Sequence, residues 1–539
     1  MAIFEKLCQI KHILDDTDSL VCILENAQNI NKHIEYVLRV QRGPCKGNKW
    51  TVSRRYRDFA SLHLCLQQAN IDLPLPAKKL IGNMQPSFVA ERQIALQTYI
   101  DEVLKHQILA LSLPVRRFLD PSNYPINIAE EALQTISIAL RGDGQYEFKG
   151  PLQRINWRIR KHYFYVVDSE KTNCLLAWQS YGPDKHLHNK DLQTALKSLQ
   201  NVSHPYIDPI LTFHVLESGA YVVRRLHENG TIRDQLYGTD CDKNYLAKYG
   251  NPKVRNPFTA AQIAHYGYQI LQALKFLHDK GLPHGHIHPG NIVIENQRVL
   301  LLDIENMLLG VPSLLRPYLR ELKRASPEAV DVYGFGRMLY EMAYAETFEG
   351  CYCDKFQSNG FSQSFDDLES LLHLTLSSSS WKQGGPTLDE VSEHPFFVGV
   401  LNGLVQRGVK EHLKFPLTLK EQIKEAVLSV ETRLKTDQKL LRNARREVRI
   451  QAILGSEEEM RKQRRRVKKR DSMWKSTSSL AETVPSHSAS TASSPTPPAT
   501  IAATSESTGV SPRASEGRGA LLQAICSFDK KSLTRAKSS

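Results

Sequence analysis

Twenty residues near the middle of the chain, His284 to Asp303, contain the side chains best suited to chemistry. His284, His286 and His288 alternate, and Asn291 follows them closely. A histidine with an ordinary pKa of about 6.5 can accept a proton at neutral pH. Amide and carboxylate oxygens such as those of Asn291 and Asp303 are ligands that suit Mg²⁺. Any chemistry of this stretch would have to come from these residues.

The flanking residues indicate how this loop is positioned. Ala261 to Lys280 has apolar residues at helical spacing and ends at Gly281, which predicts a buried helix that leads into the loop. Two short strands are expected between Asn291 and Asp303. This order resembles the catalytic core of a protein kinase, where H-R-D-L-x-x-x-N is followed about a dozen residues later by D-F-G.

The stretch keeps the layout of the kinase loop, but other residues stand at the catalytic positions. His284 takes the His position, Gly285 the Arg and His286 the catalytic Asp, while Asn291 takes the place of the metal-binding Asn. Asp303 begins the segment that corresponds to D-F-G, with Ile304 and Glu305 after it. Loss of a positioned base typically lowers the rate by about a hundredfold to ten-thousandfold. This replacement predicts a pseudokinase rather than an enzyme.

The parts that would bind ATP are also altered. The kinase strand lysine aligns with Trp178, whose indole could fill the vacated space, and its glutamate partner aligns with Ala195. Ile155 to Val167 contains no glycine, so it cannot approach phosphates as a glycine-rich lid does. Three basic residues there are expected on a solvated strand face, although they could attract an anion: Arg158, Arg160 and Lys161. We expect no cofactor, although Asn291 and Asp303 could hold Mg-ATP weakly or only maintain the loop's shape.

Four further blocks resemble kinase segments in the correct order. They are His204 to Ile207 after helix αC, Gly219 to Leu236 at the hinge, Asp331 to Met342 at helix αF, and Pro386 to Phe397 at the last C-lobe helix. Their agreement in order predicts a bilobal protein-kinase-like fold over residues 151–402. A weak or atypical ATP-dependent serine/threonine kinase, with His286 as base, is the alternative function.

Composition limits the classes of protein to which the chain could belong. The 539 residues suit roughly two to four domains, and nine cysteines without a C-x-x-C pair indicate reduced thiols. We find neither a signal-peptide h-region nor a long apolar run, so a cytoplasmic protein is expected. The net charge of +13 is concentrated in Arg461 to Arg470, which suits anionic lipid, acidic protein or nuclear import. Nucleic acid is disfavoured because no base-reading fold accompanies the run.

Residues 14–125 predict a small α+β domain. Three strand candidates and two helices are expected in this order: Leu20 to Leu24, Ile34 to Val40, Trp50 to Arg54, Asp58 to Ala69 and Phe88 to Lys105. The motifs Arg54 to Phe59, Leu73 to Lys79 and Glu91-Arg92 resemble the signature of a PX, or phox-homology, domain. The resemblance implies a three-stranded antiparallel sheet with helices.

The PX resemblance also implies a ligand, phosphatidylinositol 3-phosphate. Arg55 would bind the 3-phosphate, Tyr56 would pack on the inositol ring, Lys78 would bind the 1-phosphate and Arg92 the ring hydroxyls. Fixed cations, and the planar fork of arginine in particular, suit such phosphates. Three apolar residues after the proline loop could enter the bilayer interface: Leu80, Ile81 and Met84. Surface salt bridges at Arg55 and Arg92 are the alternative interpretation.

The rest of the chain is expected to be linkers and tail. Residues 126–150 join the domains through a helix at Ala129 to Leu140, and residues 416–470 form a charged helix and basic run. Residues 471–516 are Ser/Thr/Pro-rich and predicted disordered. Residues 518–537 resemble a WH2 actin-binding motif. The resemblance places five residues on actin: Leu521, Leu522, Ile525, Leu533 and Arg535. A solvated helix is the alternative.

Taken together, these segments resemble the family of PX-domain-containing kinase-like proteins. The resemblance implies a phosphoinositide-binding pseudokinase scaffold in the cytoplasm, peripheral on endosomal and plasma membranes, that acts in receptor endocytosis and membrane-protein trafficking. It further implies modulation of the sodium pump, the Na,K-ATPase, through its β subunits, besides actin binding. The cargo itself does not follow from the residues.

Overall fold

The computed structural model describes residues 13–31, 33–45, 47–78, 84–152, 158–239, 243–322, 326–355, 363–401, 410–456 and 459–468. The chain divides into two compact units, Met1–Leu441 and Arg442–Ser539. The first unit contains a small N-terminal domain and a larger two-lobed domain. The predicted multidomain α+β class is confirmed.

The N-terminal domain is a three-stranded antiparallel sheet covered by helices. Its elements are β1 (Leu20–Ile30), β2 (His33–Arg42), β3 (Lys49–Arg55), α1 (Tyr56–Leu66), α2 (Pro86–Lys105), α3 (Gln107–Ala110) and α4 (Leu113–Leu119). Inward residues of β2 alternate with more exposed ones, as a sheet buried on one face requires. Phe59 lies at the centre of the core, with edge-on contacts to Tyr36, Tyr99 and Phe118. The predicted strands and helices are confirmed.

The smaller lobe of the second domain is a five-stranded sheet in the order β4-β5-β6-β8-β7 with a helix on each face. Its elements are α5 (Ile128–Asp143), β4 (Tyr146–Pro151), β5 (Lys161–Asp168), β6 (Asn173–Ser180), α6 (Asn189–Gln200), β7 (Thr212–Val215) and β8 (Gly219–Arg225). The prediction of a linker at 126–150 is wrong. Ala132, Ile136 and Leu140 of α5 pack on the sheet, and β4 is its edge strand, so this segment belongs to the lobe.

The larger lobe is mainly helical. Its elements are α7 (Ile232–Leu236), α8 (Tyr245–Tyr249), α9 (Ala260–Asp279), β9 (Ile292–Glu295), β10 (Arg298–Leu301), α10 (Arg316–Leu319), α11 (Pro327–Tyr344), α12 (Gln363–Leu376), α13 (Ser378–Gln383), α14 (Leu388–Ser392) and α15 (Val398–Leu401). A capping box at Thr259 starts α9, the predicted buried helix. Ser326 caps α11, so Ser326 to Glu328 begins that helix.

A long helix, α16 (Leu417–Leu454), follows. Leu419, Ile423, Ala426 and Leu434 of its first half belong to the core of the two-lobed domain. The structure thus contains the helix predicted after residue 416, and the first half of that helix packs on the domain. Gln438 donates its amide to the carbonyls of Leu319 and Leu322, at 3.0 and 2.7 Å.

Arginines and aspartates connect the start of the N-terminal domain, α10 and α16. Arg316 contacts Asp15 and Asp437, both at 2.5 Å, and Arg320 pairs with Asp18. Arg433 of α16 also reaches Asp15, at 2.6 Å. These ion pairs hold three distant parts of the sequence together, and the side chains of Arg316 and Asp15 are about 5% and 4% exposed.

In the second unit, the structure describes the end of α16 and residues 459–468. Arg442, Arg445, Arg446 and Arg449 recur at helical spacing in the last turns of α16. Val448 and Ile453 are exposed there. Within the part of the chain that the structure describes, no helix is both long and apolar enough to span a bilayer.

Candidate functional site

The loop after α9 keeps the frame of a kinase catalytic loop. The backbone N–H groups of His284 and Gly285 donate to the carboxylate of Asp331 on α11, at 2.7 and 2.6 Å. One ring nitrogen of His284 contacts the carbonyl of Leu302 at 2.7 Å, and the other accepts the N–H of His286 at 3.1 Å. These hydrogen bonds fix the loop to α11 through Asp331 and to the segment after β10 through Leu302.

His286 stands at the position of the kinase base, and Arg158 occupies its Nδ1. Nη2 of Arg158 donates a hydrogen bond to Nδ1 of His286 at 2.9 Å, and Nη1 of Arg158 donates to the carbonyl of Pro312. Burial, with added repulsion from Arg158 and His284, lowers the pKa of His286 well below its ordinary value. An imidazole whose lone pair already accepts an arginine proton cannot accept one from a substrate.

Trp178 does not fill the ATP cleft, so that prediction is wrong. Successive residues of a strand point to opposite faces. Trp178 of β6 packs in the core beneath α5, while Ala177 faces α6. Gln179 follows on the same side as Ala177 and donates its amide to the carbonyls of Arg160 and Ser180. The side chain on the cleft face is therefore an uncharged amide.

Lys161 supplies the buried ammonium that β6 lacks. It lies on β5 opposite Gln179, and its Nζ is 2.5 Å from Oδ2 of Asp303. The prediction of a solvated strand face is wrong for Lys161, whose side chain is only 1% exposed. Burial disfavours the charged form, but the attraction of Asp303 outweighs it and raises the pKa of Lys161. Alternation along β5 would not have revealed this position, because the buried residues that alternate there are His162, Phe164 and Val166, on the other face of the strand from Lys161.

A second buried ion pair closes the back of the cleft, and sequence reasoning missed it. Arg224 at the end of β8 makes two hydrogen bonds to Glu305, at 3.1 and 2.6 Å. Asp208 lies 3.5 Å from the Arg224 guanidinium and also contacts His227. The two-point geometry is the strong form of an arginine–carboxylate bond. Glu305, which replaces the D-F-G glycine, is thus neutralised by the protein itself.

The residues that could hold Mg²⁺ do not form a fitting site. Asn291 donates its amide to the carbonyl of His286, and Oδ2 of Asp303 contacts Lys161. Burial raises the pKa of Asp303, yet Lys161, Arg224 and Arg158 more than offset it and lower that pKa. Those cations would repel a divalent ion. Among the described residues, no three or more His, Cys, Asp or Glu side chains form a cluster that could hold a metal ion.

Ala195 lies where the sequence placed it, in the buried face of α6, in the same core as Ala177. No carboxylate of α6 can therefore pair with a lysine from this position. Asp303 also adopts a left-handed backbone conformation, with φ of 62°, which an aspartate tolerates better than most residues. The carboxylate of Asp303 pairs with Lys161 of β5.

Two of the four predicted lipid-binding residues, Tyr56 and Arg92, contact each other beside the proline loop. Tyr56 donates its hydroxyl to the carbonyl of Pro76 at 2.6 Å. The guanidinium of Arg92 lies 4.5 Å from the Tyr56 ring centre and 3.4 Å from the carbonyl of Ala77. Arg55 immediately precedes Tyr56, and within the described residues no carboxylate pairs with its guanidinium. Lys78 is exposed at the end of the described loop.

Arg92 is buried, which does not agree with the alternative interpretation that it forms only a surface salt bridge. Its side chain is sandwiched between the rings of Tyr56 and Phe88, with centres at 4.5 and 4.2 Å, and the residue is 7% exposed. Arg54, the neighbour of Arg55, has a different role, since its Nε and Nη2 donate to the carbonyl of Phe118. The adjacent arginines thus separate into one that supports the fold and one that is available to a ligand.

Several predictions lie outside the described residues. These are the membrane-inserting Leu80 and Ile81, the disordered segment 471–516, and the actin-binding residues of 518–537. Met84 is described and is 40% exposed.

The fold and the two sites define a class: a PX domain joined to a protein-kinase-like domain that lacks the usual catalytic groups. The PX domain model matches residues 44–122, and the model for protein tyrosine and serine/threonine kinases matches residues 165–304. A mouse protein, "PX domain-containing protein kinase-like protein", is 40% identical over 455 residues, covering 84% of this chain and 77% of that protein. The chain belongs to the family of PX domain-containing protein kinase-like proteins.

More distant relatives share part of the chain. The Drosophila melanogaster "Slowpoke-binding protein" is 31% identical over 227 residues, covering 40% of this chain and 44% of that protein. A Dictyostelium discoideum protein named "Probable inactive serine/threonine-protein kinase slob1" is 29% identical over 291 residues, 48% of each chain. The first of these relatives is named for binding another protein, and the second is named as a probable inactive kinase.

Proposed function

We propose that this protein is a scaffold that a phosphoinositide recruits to membranes and whose kinase-like domain binds partner proteins without transferring phosphate. The observation that carries the non-catalytic part is the contact between Arg158 and His286, since it occupies the only side chain at the base position. The contact between Lys161 and Asp303 adds to it, because both groups that would meet the phosphates already bind each other.

The lipid part of the proposal rests on Arg55, Tyr56 and Arg92. A headgroup phosphate requires a cation that faces solvent, and Arg55, which precedes Tyr56 in the chain, is partly exposed. Arg92 is fixed by two aromatic rings, so it loses little freedom when it meets a ring hydroxyl. Phosphatidylinositol 3-phosphate remains the ligand that this set suits best, with Lys78 at the 1-phosphate.

Vesicle sedimentation tests the lipid site. Arg55→Ala is expected to reduce binding to vesicles with phosphatidylinositol 3-phosphate at least tenfold, because it removes a charge-assisted contact. Arg39→Ala is the matched control, since Arg39 on β2 pairs with Glu25 at 2.5 Å and lies outside the site. Equal binding by Arg55→Ala and the natural protein would reject this lipid site.

Phosphotransfer is tested separately. Purified protein with labelled ATP and generic substrates is expected to show no turnover above background. Turnover that Asp303→Ala abolishes would overturn the non-catalytic assignment and support the atypical kinase. The lipid experiment does not depend on this result.

Partner proteins and location extend the proposal. The printed name of the Drosophila relative supports a protein partner for the kinase-like domain. By family resemblance we include actin, Na,K-ATPase β subunits and endocytic cargo, at endosomal and plasma membranes. Pull-down with a peptide of residues 518–539 and its Leu521→Asp variant tests the actin part, and loss of actin by the variant alone is expected.

A further inference from the structure

A cavity of about 420 Å³ lies between the PX domain and the larger lobe of the kinase-like domain. Residues 105–108 and Leu111, at the end of α2 and along α3, form its PX wall. The opposite wall includes residues 286–289, residues 313–315 and part of α11. The volume lies within the ~300–1,000 Å³ usual for small-molecule sites. The cavity is distinct from the lipid site, because α2 carries Arg92 about 20 Å along its axis from residue 105.

The walls of the cavity are largely apolar and aromatic. Ile108 and Leu111 line it from the PX domain, and Leu315 and Met338 line it from the larger lobe. Five aromatic side chains complete the lining: Tyr237, Tyr245, Tyr249, Tyr318 and Phe348. Aromatic rings pack favourably on other flat rings. These walls therefore suit a ligand with an apolar or aromatic body.

Arg337 of α11 brings a buried positive charge to this cavity. The residue is 9% exposed, and no carboxylate of the described residues forms an ion pair with it. Its Cζ lies 4.3 Å from the ring centre of Tyr318 and 4.7 Å from that of Phe348. A buried charge normally has an opposite charge beside it. Arg337 thus differs from the other buried arginines that pair with carboxylates, and an anion in the cavity would compensate it.

The guanidinium of Arg337 also keeps two hydrogen-bond donors. Nη1 donates to the hydroxyl of Tyr333 and to the carbonyl of Gly350, and Nη2 donates to the carbonyl of Phe348. A guanidinium has five N–H groups. The N–H of Nε and the second N–H of Nη2 therefore find no acceptor in the part of the chain that the structure describes. Two donors on neighbouring nitrogens match the two oxygens of a carboxylate.

The other charged groups in the walls leave the cavity positive. Arg233 and Glu341 cancel, because two hydrogen bonds of 2.8 Å join them. Arg158 adds a further guanidinium. His286 and His288 are neutral near pH 7, since burial lowers the pKa of each well below its ordinary value. The balance of charge therefore favours an anionic ligand.

The groups at the rim alter this balance little. Lys105 contacts Glu102 at 3.1 Å, and its side chain is 63% exposed. His106 contacts the same carboxylate at 3.2 Å and lies 3.9 Å from Glu349, whose side chain is 76% exposed. Exposed charges are screened by solvent and salt. The buried guanidinium of Arg337 is therefore the main attraction for an anion.

We propose that this cavity binds a small organic carboxylate, whose apolar or aromatic body packs against the tyrosines and whose carboxylate accepts the two remaining N–H groups of Arg337. A phosphate monoester fits less well, because its dianion places a second negative charge opposite the same two donors. The inference goes beyond the scaffold function and does not depend on it. Such a ligand contacts both domains and stabilises their association, since it binds only where they meet.

Three probes of one ring system test the proposal on the full chain: naphthoate, naphthamide and naphthyl phosphate. Isothermal titration measures naphthoate directly, and displacement of bound naphthoate measures the other two, so binding at the lipid site does not contribute. Naphthoate is expected to bind with a dissociation constant below about 1 mM. The other two are expected to bind at least about tenfold more weakly, because the amide lacks the charge and the phosphate carries one too many.

Each probe can overturn a different part of the proposal. Absence of naphthoate binding at millimolar concentration rejects the site. Naphthamide that binds less than tenfold more weakly than naphthoate rejects the role of the negative charge. Naphthyl phosphate that binds less than tenfold more weakly than naphthoate rejects the carboxylate as the ligand class.

Arg337→Met tests the cation. Naphthoate affinity is expected to fall at least about tenfold, because a charge-assisted hydrogen bond is lost. Arg255→Met is the matched control, since Arg255 pairs with Glu346 at the surface, and it should bind as the natural protein does. Thermal melting checks that Arg337→Met is folded, because Arg337 also holds the carbonyls of Phe348 and Gly350. Unchanged naphthoate affinity in the folded variant contradicts the assignment.

Leu111→Trp tests the location without changing a charge. It fills the cavity from the PX wall and is expected to weaken naphthoate binding at least about tenfold, because little of the cavity remains. Leu64→Trp is the matched control, since Leu64 on α1 is 69% exposed. This pair decides the question if Arg337→Met does not fold. Naphthoate that binds Leu111→Trp as tightly as the natural protein lies elsewhere, and the proposal is then wrong.

Discussion

Nη1 of Arg316 lies 2.5 Å from Oδ2 of Asp15, although 301 residues separate them in the chain. Asp15 precedes the first strand of the PX domain, and Arg316 begins α10 in the kinase-like domain. Burial tends to raise the pKa of Asp15, but Arg316 and Arg433 outweigh it and lower that pKa. This contact joins the PX domain to α10 of the kinase-like domain.

Arg316→Met is expected to lower the free energy of unfolding by about 3 kcal/mol, because it leaves two buried carboxylates with fewer cations. Urea denaturation of the full chain measures this change. Arg255→Met is the control, since Arg255 and Glu346 form an exposed pair, and exposed pairs contribute about 0–1 kcal/mol. Equal losses in the two variants would show that the Arg316 cluster adds no specific stability.

Lys161→Met alone is expected to destabilise the protein by about 3–5 kcal/mol, because it leaves the buried carboxylate of Asp303 without its cation. Adding Asp303→Asn should restore much of the loss. Melting curves of the two single variants and the double variant form a thermodynamic cycle. If the losses simply add, the ion pair does not stabilise the cleft.

Much of the PX fold was predictable because its signals are local. Strand alternation and the motif around Arg55 and Tyr56 arise within a few residues, and the structure confirms the strands and helices they predicted. The face on which Trp178 lies was not predictable from alignment to a kinase motif. A shift of one residue along β6 moves a side chain to the opposite face, and the structure places Gln179 rather than Trp178 toward the cleft.

The role of Lys161 was missed for a related reason. Its partner, Asp303, is far away in sequence, and only the pairing of β5 with β6 brings the strand over the loop. The contact between Arg158 and His286 likewise joins residues 128 positions apart. Periodicity identifies which residues are buried, but it cannot identify the partner of a buried charge.

Substitutions of Arg54 and Arg55 are expected to have different effects on stability and on lipid binding. Arg54→Ala removes two hydrogen bonds to the Phe118 carbonyl and a stacking contact at 5.2 Å, and it is expected to lower stability by about 1–3 kcal/mol. Protein that remains folded should still bind phosphoinositide vesicles. Arg55→Ala should show the reverse, with loss of lipid binding and a stability change within about 0.5 kcal/mol. Lipid binding lost equally in both variants would contradict this division.

Acid should destabilise the kinase-like domain through its buried histidines. Burial lowers the pKa of His162 and of His204 to about 4. The corresponding pKa in the unfolded chain is about 6.5. Between these values the unfolded chain binds protons that the folded protein does not. The stability that comes from the neutral histidines is therefore complete above pH ~6.5 and is lost as the pH falls toward ~4.

Each such histidine contributes a slope of about 1.4 kcal/mol per pH unit within that window. His162→Phe should reduce the dependence of the unfolding free energy on pH by about that amount between pH 6 and 4.5, measured in urea at several pH values. Tyr165→Phe on the same strand is the control, because it changes a neighbouring side chain and leaves the imidazole of His162 in place. A slope that His162→Phe leaves unchanged would mean that the imidazole of His162 takes up its proton in the folded protein as readily as in the unfolded chain.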